Sequence, residues 1–111
     1  MTFDDVGKIA LALPGVEAGT CYGMPAFRVG GKLLCCLRQD LEALVLIDVP
    51  VEEREVMCEA EPEVYFFTDH YRDWPAVLAR LSAAEPDHVQ GYLLRSWKKR
   101  APKKVLKAAG L

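Results

Sequence analysis

The chain has 111 residues, of which 51% are hydrophobic and 27% charged, and its formal net charge is −2 at pH 7. A chain of this length is expected to form one domain, 1–111, which buries roughly two-thirds of its surface without help from disulfides or a structural metal. No apolar run approaches the ~18 residues of a membrane span, and the acidic start MTFDDVGK is unlike a basic signal peptide. We therefore expect a cytoplasmic protein with no membrane partner.

The N-terminal residues predict a helix and then a short strand. Thr2 and Asp5 have the spacing of a capping box, and apolar residues follow at helical intervals until Pro14-Gly15 ends the helix. Residues 17–22 predict the strand.

The middle of the chain predicts a hairpin and a buried strand. Gly30-Gly31 supplies the positive φ angles of a tight turn, which predicts a hairpin between residues 25–29 and 32–39. Residues 43–48 carry LVLI at their centre, and such a continuous apolar run is typical of a central strand buried on both faces.

The next segment alternates between helix and strand. Residues 50–60 predict a short acidic helix, whose carboxylates are interpreted as a solvated face. The aromatic run at 64–68 predicts a strand, residues 69–73 a polar loop, and residues 74–81 the strand that pairs with the aromatic run.

Two helices are predicted at the C-terminus. Ser82 and Glu85 have capping-box spacing, with Pro86 in the first turn of the helix that follows. Its buried face is expected to carry Val89, Tyr92, Leu93 and Trp97, and Pro102 separates it from a last short helix. The predicted order is α-β-β-β-β-α-β-β-α-α. This order indicates an α+β fold with a single antiparallel β-sheet and helices packed on one side.

The four cysteines predict neither a metal site nor disulfides. Cys35 and Cys36 are adjacent in a predicted strand, so their side chains point to opposite faces and do not converge on one ion. There is no CxxC pair, and neither histidine lies at zinc-finger spacing. We expect all four to be free thiols in a reducing compartment.

Charge is distributed unevenly along the chain. Residues 1–94 carry a net charge of −9, whereas the last 17 residues carry seven cations and no acid. A basic tail of this kind either contacts phosphate or stabilises the negative end of a helix dipole, and composition leaves both interpretations open.

Catalytic and cofactor motifs are absent from the sequence. It contains no P-loop, GxGxxG, HExxH or GxSxG motif, and no enzymatic activity, cofactor or metal is predicted. His70 is the best titratable candidate because of its aromatic and basic neighbours. The candidate pocket consists of Tyr22, Phe27, His70, Tyr71, Arg72 and Trp74.

Aromatic and basic residues are mixed in three segments, as they are on nucleic-acid-binding surfaces. In such surfaces rings stack on bases and cations neutralise phosphates. The alternative is that the rings belong to the core and the cations are their solvated neighbours. The candidate nucleic-acid-binding residues are Arg28, Lys32, Arg95, Trp97, Lys98, Lys99, Arg100, Lys103 and Lys104.

Four segments resemble the MmcQ/YjbR family: LALPGVE at 11–17, YGMPAFRVGGKLL at 22–34, DHYRDWPAVLARL at 69–81, and the helix that runs into Ser96-Trp97. They cover most of the chain in family order. The resemblance implies a small α+β "double wing" fold, similar to frataxin-like and secretion-chaperone-like folds. It also implies DNA binding, the label commonly given to the family.

Three functional hypotheses follow, and the first leads. The chain is a non-enzymatic binding domain that contacts DNA weakly and without sequence specificity. The second hypothesis is a protein-interaction or chaperone-like domain, self-associating or not, that uses the sheet face and exposed aromatic residues. The third is a small-molecule binder or enzyme centred on His70, Tyr71 and Trp74. If the folded tail joins Arg28 and Lys32 in one patch, the DNA hypothesis gains.

Overall fold

A computed structural model describes residues 1–111 and consists of four α-helices and one six-stranded antiparallel sheet. The helices are α1 (Phe3–Leu11), α2 (Val51–Ala60), α3 (Pro86–Arg100) and α4 (Lys103–Ala108). The strands are β1 (Val16–Cys21), β2 (Met24–Val29), β3 (Lys32–Arg38), β4 (Ala43–Ile47), β5 (Tyr65–Phe66) and β6 (Ala76–Arg80). Short 3-10 turns occupy Gln39–Leu41 and Asp69–Tyr71. No helix is both long enough and apolar enough to cross a membrane.

The strand order in the sheet is β1-β2-β3-β4-β6-β5, which confirms the predicted α+β fold with one antiparallel sheet. β3 and β4 are the central pair. In β4, Leu44, Val45 and Leu46 are each at most 3% exposed, as the LVLI run predicts. The central strand is therefore covered on both faces.

The two faces of the sheet differ in what covers them. The helix face packs against α1 and α3 and contributes to the larger apolar core, which includes Val6, Leu93 and Trp97. The open face carries a smaller apolar cluster that the segment around Tyr71 covers in part. Cys35 belongs to the first cluster and Cys36 to the second, so the prediction that they point to opposite faces is confirmed.

The predicted start of α1 is confirmed. The backbone N–H of Asp5 donates to Thr2 Oγ1 at 3.2 Å, and the backbone N–H of Thr2 donates to Asp5 Oδ2 at 2.8 Å. The capping box thus satisfies two of the backbone donors that the first turn leaves free.

The predicted capping box at Ser82 is wrong. Helix α3 begins at Pro86, and its N-cap is Glu85, which is extended (φ −92°, ψ 128°) and makes no side-chain capping bond. A capping box at Ser82 would need Glu85 to be the third residue of the helix. Pro86 disfavours helical geometry in the residue before it, so Glu85 stays extended and the helix begins after it.

The aromatic strand is shorter than predicted. Only Tyr65 and Phe66 pair with β6, although 64–68 was expected to be a strand. Beyond Phe66 the chain turns away, and the ring of Phe67 packs against the guanidinium of Arg54 at 3.9 Å. Contact with a side chain from α2 therefore replaces further sheet pairing.

Candidate functional site

A tight contact joins the β2–β3 turn to the C-terminal tail. Gly30 and Gly31 both have positive φ (57° and 79°), as the predicted hairpin requires. A Cβ on Gly30 would lie 2.6 Å from Cγ of Pro102, so only glycine fits there. This contact brings the start of α4, and with it Lys103 and Lys104, to the turn.

Arg28 and Lys32 flank the same turn. The Arg28 guanidinium donates to the carbonyl oxygens of Gly31 (3.1 Å) and Thr20 (3.0 and 3.2 Å), and none of the ion pairs in the structure involves it. Lys32 is exposed and also forms no ion pair. We name Arg28, Lys32, Lys103 and Lys104 the basic surface.

Three other predicted cations are already paired with two carboxylates. Arg95 forms a bidentate pair with Glu53 at 2.8 and 2.9 Å. Arg100 forms a second bidentate pair, with Asp48, in which both bonds are 2.8 Å long. Nζ of Lys99 lies 3.4 Å from Oδ1 of the same carboxylate. The hydrogen bond from Arg100, supported by the charges of Arg100 and Lys99, lowers the pKa of Asp48 below its ordinary value.

Of the remaining predicted residues, Lys98 is exposed and Trp97 is not. Trp97 is 2% exposed within the core, and its Nε1–H donates to the carbonyl oxygen of Pro14 at 2.8 Å. The prediction that Trp97 contacts nucleic acid is therefore corrected, because its ring cannot reach a base while the core is intact.

A second feature, the aromatic groove, lies on the open face of the sheet. It has a volume of about 460 Å³ and is lined by six residues, of which four belong to the predicted pocket. These six residues are Tyr22, Met24, Arg38, His70, Tyr71 and Trp74.

The most exposed residues of the aromatic groove are large aromatic ones. Tyr22 is 95% exposed and Trp74 is 61% exposed. Tyr22 occupies the left-handed region (φ 50°) in a turn with Gly23 that joins β1 to β2. Non-glycine residues in that region are strained and cluster at functional sites. This second hairpin was not predicted, although a Tyr-Gly pair between two strand-like runs could have indicated it.

Arg38 fixes the floor of the aromatic groove. Its guanidinium donates to the hydroxyl of Tyr71 at 3.0 Å and pairs with both carboxylate oxygens of Asp40 at 3.0 and 2.8 Å. The bonds to Asp40 first, and then to Tyr71, raise the pKa of Arg38. The ring of His70 packs edge-on against Tyr71, with ring centroids 4.8 Å apart, and its side chain makes no hydrogen bond within the protein.

Two predicted pocket residues lie outside the aromatic groove. Phe27 is buried on the helix face, where its ring stacks on Phe3 with centroids 5.2 Å apart. Arg72 is exposed and paired with Asp69. Both placements correct the predicted pocket, because strand alternation sends Phe27 to the other face of the sheet.

Sequence reasoning missed Arg54, which holds the wall of the aromatic groove. It is 2% exposed, and its guanidinium donates to the carbonyl oxygens of Tyr71 (2.8 Å), Arg72 (2.8 Å), Trp74 (3.0 Å) and Ala76 (3.2 Å). An arginine in an acidic helix carries no local signal of this role, since its partners lie 17 or more positions away.

Burial keeps two of the four cysteines protonated at neutral pH. The structure joins none of the four in a disulfide, and no group of three or more His, Cys, Asp or Glu residues is arranged to hold a metal ion. Burial raises the pKa of Cys35 to about 12 and that of Cys36 to about 11, which keeps both protonated. That the protein in solution contains neither disulfides nor stoichiometric zinc stays a prediction, which thiol titration and metal analysis would test.

Comparisons with known proteins identify a family and several uncharacterised relatives of this chain. The YjbR family model matches residues 11–99. An uncharacterised protein of Mycobacterium bovis and uncharacterised proteins from two strains of Mycobacterium tuberculosis are each 32% identical to the chain. Each alignment covers 96% of this chain and 94% of the relative.

A solved structure shares the fold. The crystal structure of a Deinococcus radiodurans protein with a DUF419 domain superposes with a TM-score of 0.70. The match covers 99% of this chain and 88% of that one, at 21% sequence identity. At that identity the likeness concerns the fold alone.

Proposed function

The chain belongs to the YjbR family, and we propose that this member is a non-enzymatic domain that binds the phosphate backbone of nucleic acid through the basic surface. The observation that carries the proposal is the contact between Gly30 and Pro102, which holds the start of α4 against the turn that Arg28 and Lys32 flank.

The distribution of ion pairs favours the basic surface over the cations at the end of α3. Arg95, Lys99 and Arg100 are paired with carboxylates, whereas the four residues of the basic surface are in no ion pair. An unpaired cation can neutralise a phosphate without first breaking an internal salt bridge. The basic surface can therefore release counterions from a nucleic acid without the cost of breaking an ion pair.

The expected binding is weak and independent of sequence. Contacts to phosphate carry no direct sequence information, and four phosphate contacts on a duplex correspond to a salt slope of about −3 to −4. Residues 1–94, which include Arg28 and Lys32, carry a net charge of −9, and this acidic part of the chain opposes association. We expect dissociation constants in the micromolar range, on the order of non-specific binding.

The test compares two variants that lose the same charge from different places. Lys103→Gln with Lys104→Gln removes half of the basic surface, and Lys8→Gln with Lys99→Gln removes two cations elsewhere. Substitution is cleaner than deletion of the tail, because Val105 and Leu106 pack against the core.

Binding of a labelled duplex and a labelled single strand is followed by fluorescence anisotropy across a range of salt concentrations. The first variant is expected to lose roughly tenfold in duplex affinity at low salt, and its slope to fall by about two. The control should change less than about threefold. Equal losses in both variants, or no binding by the wild-type chain at about 50 mM salt, would refute the proposal.

A second candidate function is contact with a protein through the aromatic groove. Its lining contains Tyr, Trp, Met and Arg, which are enriched in interface cores, and contains no Lys, Glu or Asp, which are depleted there. Exposed aromatic anchors such as Tyr22 and Trp74 are typical of binding hot spots.

We test this candidate as self-association, in which a second copy covers the groove. Sedimentation equilibrium is measured for the wild-type chain and for Tyr22→Ala combined with Trp74→Ala. A wild-type dimer that dissociates in the variant would support the candidate. A wild-type monomer across the accessible concentrations would reject self-association through the groove.

A further inference from the structure

The aromatic groove holds two large rings that the hydrophobic core does not use. Tyr22 is 95% exposed and Trp74 is 61% exposed, and both line the same groove. Single exposed hydrophobic residues are normal on a protein surface, whereas a group of them at one groove is typical of a binding site. The two rings are therefore available to a partner.

The backbone at Tyr22 gives a second, independent indication that its ring has a function. Tyr22 and Gly23 are the two central residues of the β1–β2 turn, and both have positive φ, 50° and 78°. Tight turns of this kind strongly prefer asparagine followed by glycine, because a bulky residue is strained at positive φ. Tyrosine therefore does not serve the turn, and its exposed ring does not serve the core.

The side chains around the two rings favour an anionic partner. The lining contains Arg38 and His70 and no carboxylate, although the chain has 16 acidic residues. Asp40, which pairs with Arg38, lies outside the lining. A ligand that carries negative charge therefore meets no acidic side chain in the groove itself.

Arg28 connects the groove to the basic surface. Phe27 and Val29 belong to the core on the helix face, so Arg28 between them points to the open face, on which the groove lies. Strand β2 has Met24, a lining residue, at one end and Arg28 near the other, about 13 Å along the strand. A strand of a few nucleotides can reach both, since small single-strand-binding domains cover ~4–16 nucleotides.

We propose that the aromatic groove takes unstacked bases of a single-stranded nucleic acid, which stack on Tyr22 and Trp74 while Arg28 holds a phosphate. This inference rests on the proposed function, because it names the form of nucleic acid that the basic surface retains. The bases of a duplex are stacked on one another, so the rings can stack only on bases of a single strand. Every base has a π-face, so the stacking is independent of sequence.

The fluorescence of Trp74 reports on the stacking. The chain has two tryptophans, and Trp97 is 2% exposed, so a base that stacks on tryptophan in the folded protein acts on Trp74. The wild-type chain is titrated at about 50 mM salt with a labelled oligothymidine of ~12 nucleotides and with a labelled duplex of the same length. Tryptophan emission is recorded beside the anisotropy of the label. We expect saturable quenching by the single strand and none by the duplex.

Tyr22→Asn separates binding from folding. Asparagine suits the turn better than tyrosine, so this variant should resist urea at least as well as the wild type, yet lose about fivefold or more in affinity for the single strand. Its affinity for the duplex should not change. Trp74→Ala should weaken single-strand binding by a similar factor. Leu11→Ala removes an exposed apolar side chain outside the groove and should bind as the wild type does.

The outcomes distinguish this inference from the proposed function. If the single strand binds but tryptophan emission and the affinities of Tyr22→Asn and Trp74→Ala stay unchanged, the stacking is refuted and phosphate binding by the basic surface stands. If neither nucleic acid binds, both are refuted. Tryptophan emission that changes on dilution of the protein, and not on addition of the single strand, would show that a second copy covers the groove and would overturn the inference.

Discussion

Arg54 is a charged residue that is only 2% exposed, and its positive charge is balanced by backbone dipoles instead of a carboxylate. Four carbonyl oxygens of the segment 71–76 accept its N–H bonds, and the Phe67 ring packs on its flat face. One side chain from α2 thereby fixes the backbone that carries Tyr71 and Trp74 into the aromatic groove.

We expect Arg54→Leu to lower the free energy of unfolding by about 3 kcal/mol, because buried carbonyls lose their charged donor. Arg54→Lys keeps the charge but loses the planar guanidinium with its several N–H donors. The stability of this variant should therefore lie between those of the wild type and Arg54→Leu. Urea denaturation of the three proteins measures this order. A leucine variant as stable as the wild type would show that water or local rearrangement satisfies these carbonyls.

At the scale of elements, the end of α3 is fastened to the link between β4 and α2. Asp48, which has a positive φ of 61°, accepts two bonds from Arg100, while Ser96 Oγ donates to the carbonyl oxygen of Ile47 at 3.3 Å. The cations at the end of α3 therefore stabilise the fold by ion pairing as well as by their position near the helix C-terminus.

Asp48→Asn should remove about 1–2 kcal/mol of stability at neutral pH, because a charge-assisted bidentate bond becomes a neutral one. The pKa of Asp48 is lowered in the folded state, so its contribution is present above the ordinary value of 3.8 and is lost as pH falls through the lowered value. Wild type and variant should therefore converge in strongly acidic solution. Urea denaturation across pH measures this, with Asp73→Asn, an exposed acid in no ion pair, as control.

At the scale of the whole molecule, the contact of Gly30 with Pro102 connects the hairpin near the N-terminus to the C-terminal tail. Gly15 and Val105 meet nearby, where a Cβ on Gly15 would lie 3.3 Å from Cγ1 of Val105. The start of the basic C-terminal helix α4 is in this way held against the turn between β2 and β3.

Gly30→Ala and Gly31→Ala separate this contact from the conformation of the turn. Both glycines have positive φ, so alanine at either costs about 1 kcal/mol. Only Gly30→Ala also clashes with Pro102, and we expect a further loss of about 1–3 kcal/mol and weaker nucleic-acid binding. Urea denaturation measures the difference. Equal destabilisation by the two variants would show that the contact adds nothing to stability.

Much of the fold was predictable because its signals are local. Period-two alternation placed Cys35 and Cys36 on opposite faces, and the apolar run of β4 indicated a central strand. Residues with special backbone preferences, such as Gly30-Gly31, fixed a turn. The misread start of α3 involved two competing local signals, in which the geometry imposed by Pro86 prevailed over the spacing of Ser82 and Glu85.

The functional sites depended on the tertiary structure, because their partners are distant in sequence. The sequence by itself determined how many cations the tail carries, but only the fold decided that Arg100 is paired with Asp48 and that Lys103 is not. Likewise, composition could not leave Tyr22 exposed or send Arg54 into the wall of the aromatic groove, whereas helical spacing did predict that Trp97 is buried. Burial and ion pairing are properties of positions in space, and charge and periodicity along the chain constrain them only in part.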